Sequence, residues 1–482
     1  MRYFRAALCF ILTLLLVFAT ERIVSNKDSI EKYNGFFEQQ LNFDVLFFGT
    51  SHMQNALSPM DLWENYGITS YNMANSGCRI ATSYWMLKCA LNHTSPKLVV
   101  LDCAYLFRKE KANDNIAYMH KSMDAFPVST TKIQAIMDLF DDNEQRIEFF
   151  FPFTTYHNRW NDIKKEDFFI QSNPGNGYNL SCKIQPAEIE IVDMSNWTEV
   201  DSVNVEYLDK FVKLCNEKNI PLLLTFLPFD YSEQSKNDMA FLLYYSSKNS
   251  INYLDGNTLL NAICQTTDFY NTYKDNSHLN LSGAQKMTDY IGAYICKHYD
   301  IPDRRNDPSY QKWNIDKNDY ESYKHQLISE LKTLEEYLIL ASDKHLSVII
   351  ETNNNNYLFQ NKTFMNLLKN LYPKIFNETE CFNENVKYIV IRGNGEKISI
   401  LTREGSSCLG TISRKRDFES TIISEYVLLN GQKLYLSNKD TPSSAVWITI
   451  IDDQNNLIDS ECFDPLQTEL LMISPPDHRQ TR

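Results

Sequence analysis

Alternation of short apolar runs with helical stretches predicts an α/β protein: a mainly parallel sheet covered on both faces by helices, followed by a smaller strand-rich domain. Three observations carry this expectation. Apolar runs of strand length recur at Asp44–Phe48, Ile68–Met73, Lys97–Asp102, Ile220–Leu227 and Ser250–Leu254, with helix-like segments between them. The chain has 482 residues, too many for one ordinary core. Beyond residue 320 the pattern changes to short strand-like runs around a single helix.

The elements follow in order. Arg2 and Arg5 precede an apolar run, Ala6–Ala19, which Tyr3 and Phe4 can lengthen. The run reads as a secretory signal or an uncleaved signal anchor. No small-x-small cleavage site follows, which favours a single-pass anchor over residues 1–22. Its basic flank would stay in the cytoplasm, leaving the rest extracytoplasmic at the cell membrane. Polar residues 23–43 read as a tether. The run Asp44–Phe48 ends at Gly49, a strand meeting a turn. Ser58 and Pro59 are the N-cap and first residue of a helix. Ile80–Leu91, a segment within Ile133–Phe150, Val203–Lys218, Asp238–Ser247 and Leu281–Tyr299 read as further helices. Residues 151–200 are irregular, an insertion that shapes the mouth of a site.

Residues 44–300 thus form one expected catalytic domain. The polar stretch Ile301-Pro-Asp-Arg-Arg-Asn-Asp-Pro308 opens a linker, 301–317. Residues 318–482 form the second domain. Tyr320–Ala341 reads as a helix there, Lys362–Asn370 as another. Leu346–Glu351, Val386–Ile391, Lys397–Thr402, Val427–Leu429, Lys433–Leu436 and Ala445–Ile451 read as strands.

Composition excludes some functions. A net charge of −14 with no long basic run argues against nucleic acid, because phosphate binding needs clustered Lys and Arg. The cysteines are scattered, with no CxxC and no His at metal-ligand spacing, so no metal or other cofactor is expected. Hydrophobic content of 43% is that of a packed protein.

Two short motifs carry chemistry. Gly49-Thr50-Ser51-His52 follows the first strand, and Asp275-Asn276-Ser277-His278 precedes the last helix of the sheet domain. A serine hydroxyl attacks well only when a base takes its proton, and a histidine oriented by a carboxylate is the usual base. A strand–Gly–x–Ser turn presents the hydroxyl at the carboxyl edge of the sheet, where sites in such sheets lie. It also aims the Ser51 N–H at a developing oxyanion. Asp275 and His278 sit on one loop that can approach Ser51.

The blocks FFGTSH, Tyr71-Asn-Met-Ala-Asn-Ser-Gly77 and DNSHLNLSGAQK together resemble the SGNH (GDSL-like) hydrolase superfamily over about residues 40–300, a three-layer α/β/α sandwich. The chain looks most like its membrane-anchored branch, related to alginate O-acetyltransferases and the teichoic-acid D-alanylation protein. The resemblance implies Ser51 as nucleophile, His278 as general base, Asp275 as its orienting carboxylate, and the Ser51 and Gly77 N–H groups as oxyanion donors. The superfamily places Gly-x-Asn-Asp after the third strand, whereas this chain has Asp102-Cys-Ala-Tyr105, with Asn113-Asp114 later. Asn75 is the substitute donor. Pro152-Phe-Thr-Thr-Tyr-His-Asn-Arg-Trp160 is similar to a His-x-Arg-Trp stretch of the same group, implying that His157, Arg159 and Trp160 bind substrate. The alternative is that Tyr156 and Trp160 are core and Arg159 makes a salt bridge.

Ser342-Asp-Lys, Tyr388-Ile-Val-Ile, Leu429-Asn-Gly431, Val446-Trp-Ile-Thr-Ile-Ile-Asp-Asp453 and Leu457-Ile-Asp-Ser-Glu-Cys-Phe-Asp464 resemble an interleukin-like EMT inducer (ILEI) domain, which implies a glycan-binding module. The expected activity is O-acyl transfer, most simply O-acetyl, to an extracytoplasmic polysaccharide. A multispanning membrane-bound O-acyltransferase would be the partner that supplies acyl groups. The alternative is a carbohydrate esterase or lipase-like hydrolase using the same triad.

Overall fold

The computed structural model describes residues 2–25, 27–38, 42–106, 116–169, 174–273, 276–351, 357–373, 386–392, 397–402, 407–408, 422–423, 426–429, 432–435, 446–454 and 456–463. The chain divides into two compact units. The first comprises Met1–Asn179, Ile189–Ile263 and Ala284–Tyr320; the second comprises Leu180–Glu188, Cys264–Gly283 and Glu321–Arg482. The sequence reading kept 44–300 together. Two of its segments join the second unit, where main-chain bonds pair them: Gln185 N–H donates to the Phe269 carbonyl at 2.7 Å and Leu281 N–H to the Ser181 carbonyl at 2.8 Å.

The first unit holds the expected parallel sheet. Its strands are β1 (Val45–Phe48), β2 (Ser70–Asn72), β3 (Leu98–Asp102), β4 (Leu222–Thr225) and β5 (Asn252–Leu254), in the order β2-β1-β3-β4-β5. Every neighbouring pair is parallel, with Val45 opposite Ser70 and Leu98, and Val99 opposite Leu222. All of β1 is buried, which a Val-Leu-Phe-Phe run between covered faces requires.

Among the described residues, the helices that flank or precede these strands are α1 (Arg2–Val24), α2 (Lys27–Glu38), α3 (Ser51–Ala56), α4 (Pro59–Tyr66), α5 (Ile80–Ala90), α6 (Ile116–Met123), α7 (Thr130–Leu139), α8 (Asn143–Phe150), α9 (Phe153–Tyr156), α10 (Ser202–Glu217), α11 (Glu233–Asn249) and α12 (Gly256–Leu260). Helix α4 begins as expected. The Ser58 hydroxyl accepts from Asp61 N–H at 3.3 Å, Pro59 takes the first position, and Gly67 closes the helix at φ 67°.

Helix α1 contains Tyr3–Val24, 22 residues of which an 18-residue stretch reaches a mean hydropathy of 2.2, the one helix among the described residues long and apolar enough to cross a membrane. After it, residues 23–43 are more than a tether. In α2 the side chains of Lys32, Tyr33 and Phe36 are buried, and Phe36 stacks on Phe43 with ring centroids 5.2 Å apart. The expected linker also packs. The Arg304 guanidinium makes a two-pronged bond to Asp44 at 2.9 and 3.0 Å, and buried Trp313 lies 5.5 Å from the ring of Trp63. Neither segment has a long apolar run, but each places a few aromatic or cationic groups where the sheet domain receives them.

Helices α13 (Leu281–His298) and α14 (Lys312–Leu327) run across the boundary between the units. The second unit adds α15 (Leu334–Ala341), α16 (Tyr357–Gln360) and α17 (Lys362–Leu371). The stretch read as one helix, Tyr320–Ala341, is two. Thr333 accepts from Glu336 N–H at 3.2 Å while the Glu336 carboxylate accepts from Thr333 N–H, a capping box that starts α15 afresh.

The strands of this unit are β6 (Phe269–Tyr273), β7 (Asn276–Leu279), β8 (Leu346–Glu351), β9 (Val386–Arg392), β10 (Lys397–Thr402), β11 (Ser407–Cys408), β12 (Ile422–Ile423), β13 (Tyr426–Leu429), β14 (Gln432–Tyr435), β15 (Val446–Asp452) and β16 (Leu457–Phe463). Six of them form one antiparallel sheet, β11-β10-β9-β8-β15-β16; β12-β13-β14 form another, and β6-β7 a hairpin. Leu338 and Leu340 of α15 and Leu367 and Leu368 of α17 share one core with Val348, Ile350, Ile389 and Ile448. Buried Lys324 pairs with buried Asp343 at 2.6 Å, so neither charge lies unpaired in that core.

Candidate active site

The nucleophile turn follows from the end of β1. Gly49 adopts φ 143°, and a Cβ there would lie 2.8 Å from Asp102 Cβ. Only glycine meets both conditions. Thr50 then caps α3, its hydroxyl accepting from His52 N–H at 3.3 Å. Ser51 is the first residue of α3 and is half-buried. Its carbonyl accepts from the Asn55 amide at 2.7 Å. His52 points inward, 3.1 Å from the Tyr105 hydroxyl and stacked on Phe229 at 4.2 Å, a packing position.

The loop after β2 is tied to this turn. Asn75 N–H donates to the Gly49 carbonyl at 3.2 Å. The Asn72 amide donates to the carbonyls of Met53 and Leu57, both at 2.9 Å, and so holds the far end of α3. Gly77 adopts φ 65°, with a hypothetical Cβ only 2.6 Å from the Tyr118 ring. Its N–H makes no hydrogen bond among the described residues. The Asn75 side chain is engaged elsewhere: its amide nitrogen donates to the Tyr33 hydroxyl at 3.2 Å and the Lys121 carbonyl at 2.8 Å.

Helix α2 supports this loop, a role the sequence reading missed. The Tyr33 hydroxyl donates to the Met73 carbonyl at 3.1 Å, and the Lys32 ammonium donates to the Ala74 carbonyl. Burial holds the Lys32 ammonium down to about 7. The signal available was Lys32-Tyr33 followed by Phe36 in an otherwise polar segment, one short face of a helix.

At the third strand, Asp102 is buried at the carboxyl end of β3. Its Oδ1 accepts from Leu227 N–H at 2.9 Å, clamping β3 to the chain leaving β4. Burial pushes its carboxyl up to about 7, only partly offset by the N–H groups it accepts from. Asn113-Asp114 lies outside the described residues.

The base motif has a different setting. The sequence reading put it on a loop; His278 instead stands in β7, paired with Tyr270 of β6, its ring 5.7 Å from the tyrosine ring. The alternation Asn-Ser-His-Leu is too polar to announce a strand. Burial pushes the His278 imidazole down to about 4, so it is neutral at pH 7. Asn280, next along, donates to the Thr267 carbonyl at 2.7 Å and accepts from Gly283 N–H at 3.2 Å, fixing the start of α13. Asp275 lies outside the described residues. Beside the hairpin is a cavity of about 690 Å³, lined by Gln185, Tyr270, Asn271, Thr333, Asn366 and Asn370 among others.

The three expected substrate-binding residues lie in the 3-10 turn His157–Asp162, which packs near the end of α1. Arg159 donates to the carbonyls of Val24, at 2.8 Å, and Ser25, and pairs with Asp167 at 2.9 Å. Trp160 is 66% exposed, so it is not core. His157 Nδ1 lies 2.7 Å from the Thr154 carbonyl. Ser51, Asn75 and Gly77 are brought together within the first unit, whereas His278 belongs to the second.

No family model matches the chain, and no curated relative matches it. Among solved structures it is similar to a protein described as an acylhydrolase from Bacteroides fragilis, at 14% identity over 57% of this chain and 98% of that one, with a TM-score of 0.29. A GDSL-like lipase from Bacteroides thetaiotaomicron aligns at 12% identity over 56% and 99%, also with a TM-score of 0.29. Likenesses this distant do not bear on chemistry, which rests on the residues themselves.

Proposed function

We propose that the chain is a serine-dependent acyl-transfer enzyme of the SGNH (GDSL-like) type, moving an acyl group, most simply acetyl, onto a hydroxyl of an extracytoplasmic polysaccharide. The observation that carries this reading is the Gly49–Ser51 turn at the carboxyl end of β1, with Gly77 presented on a loop bonded to the same turn. A glycine forced by geometry, a serine at the first helical position and a nearby N–H that has no partner among the described residues are what an acyl-serine site requires.

Ser51 Oγ attacks the acyl carbonyl carbon as its proton passes to His278, with Asp275 orienting the imidazole. The Ser51 and Gly77 N–H groups receive the oxyanion. Collapse breaks the bond to the donor's leaving group, which takes the proton from His278. A sugar hydroxyl, deprotonated by His278, then attacks the ester carbonyl, and Ser51 Oγ leaves as it takes that proton back from His278. Burial leaves His278 neutral at pH 7, and an ion pair with the Asp275 carboxylate would raise its basicity toward that of a catalytic base.

The apolar helix α1 favours transfer over hydrolysis, because an anchored enzyme can receive acyl groups from a multispanning membrane-bound O-acyltransferase. The strand-rich second unit, read as an ILEI-like glycan module, offers its amide- and hydroxyl-lined cavity to the acceptor. Cells carrying Ser51→Ala should lose O-acetyl groups from their envelope polysaccharide; full acetylation in that strain would sink the reading. A purified enzyme that releases acetate from acetylated glycan faster than it transfers would replace transferase with esterase.

A further inference from the structure

Exposed apolar surface in the first unit is concentrated in one stretch. Outside α1, ten of the seventeen large apolar side chains that stand exposed among the described residues fall within 128–169. In α8 apolar side chains face both inward and outward. Phe149 is buried, stacked on His120 at 4.0 Å, while Ile147 and Phe150, at i and i+3, are exposed, as is Phe151 just past the helix end. Trp160, Phe168 and Phe169 continue this surface through the two 3-10 turns His157–Asp162 and Lys165–Phe168. Phe169 is 71% exposed. Such a patch on a protein in water marks an interaction site.

Its occupant follows from continuity with α1. The last turn of α1 packs on these same turns: Val24 is buried, and Arg159 caps the helix end through the Val24 and Ser25 carbonyls. The point where the apolar helix meets the body of the unit is therefore the point where the aromatic surface gathers. Exposed Lys164 and Lys165 sit within it, suited to lipid phosphates. We infer that the face formed by α8 and the two 3-10 turns rests in the interface of the bilayer that α1 enters, giving the protein a second, monotopic membrane contact. The inference rests on the reading of α1 as membrane-embedded. On it, Trp160 is an interfacial anchor, and Arg159 fixes the angle at which α1 leaves the membrane.

The test uses the full chain in vesicles of phosphatidylethanolamine and phosphatidylglycerol, doped with a phosphatidylcholine brominated near the glycerol end of its acyl chains. The emission lost on Trp160→Phe defines the Trp160 signal. That signal should be quenched by the brominated lipid at least about twofold, as expected for a side chain at headgroup depth. In a Phe150→Glu/Phe151→Glu/Phe168→Glu variant that melts as the wild type does, the quenching should fall away while the protein still floats with the vesicles. Trp160 emission untouched by bromine in protein that floats would overturn the inference and leave the anchor intact. Protein that does not float at all would overturn the anchor reading and this inference with it.

Discussion

The turn that carries Ser51 and the hairpin that carries His278 are held by different forces. The turn hangs from a fully buried strand, and a missing Cβ at Gly49 lets it close on Asp102. The hairpin buries Phe269 and Leu279 but also leans on a set of side-chain polar bonds. The Asp268 carboxylate accepts from Cys264 N–H at 2.6 Å and from the Ser282 hydroxyl at 2.9 Å, and Ser277 donates to Asn271 at 2.8 Å. Apolar burial fixes a nucleophile with little tolerance for added atoms. A polar network holds a base but makes its position depend on each bond. The two sides should therefore break differently.

The largest effect is expected at the nucleophile. Ser51→Ala should reduce turnover of p-nitrophenyl acetate by at least ~1,000-fold with an unchanged melting temperature, because covalent catalysis is removed and nothing is strained. His278→Gln should approach the same loss, with Ser51 retained but no longer deprotonated. Gly77→Ala tests the oxyanion loop. Its Cβ would strike the Tyr118 ring in a left-handed backbone, so kcat should fall ~100-fold with a smaller change in KM. Unchanged kcat in that variant would remove Gly77 from the site.

Titration sharpens the contrast at smaller cost. His278 ordinarily titrates near 6.5 but is held to about 4 by burial. The unfolded chain therefore binds a proton between those values that the folded one refuses, and stability should fall as pH drops from about 6.5 towards 4. His278→Gln should flatten that limb in melts across pH, and the acid limb of wild-type activity should lie below the ordinary histidine range. Asp102 has the opposite sign. With its carboxyl raised to about 7, the folded form holds a proton that the unfolded chain loses near 3.8, so stability declines as pH rises between those values. Asp102→Asn should remove this decline and make the protein relatively more stable at pH 7 than at pH 4. An equal effect at both pH values would show that Asp102 is charged when folded.

The same difference explains what could be read from the chain. The runs ending at Phe48 and Asp102 are apolar and flanked by turn residues, so the sheet, its parallel sense and the Ser51 turn were all legible. The Ser58-Pro59 start of α4 was legible because capping chemistry is local. The hairpin was not, because Phe269–Tyr273 and Asn276–Leu279 pair through a polar network that leaves no apolar period. Helix α2 was passed over as a tether because its buried face amounts to Lys32, Tyr33 and Phe36. The break before α15 was present as Thr333-x-x-Glu336 but was masked by good helix formers on both sides. Of the proposed triad, residue types and spacing were visible in the sequence, while the strand setting and burial of His278 were not.

The central claim is an acyl group carried on Ser51, and trapping it is the most direct measurement. Wild-type protein quenched in acid after brief exposure to p-nitrophenyl acetate should carry one acetyl group on the peptide containing Ser51, seen by mass spectrometry. The adduct should be absent from Ser51→Ala. Folded wild-type protein that turns the ester over without that adduct, or carries the acetyl group on another residue in both proteins, would contradict it.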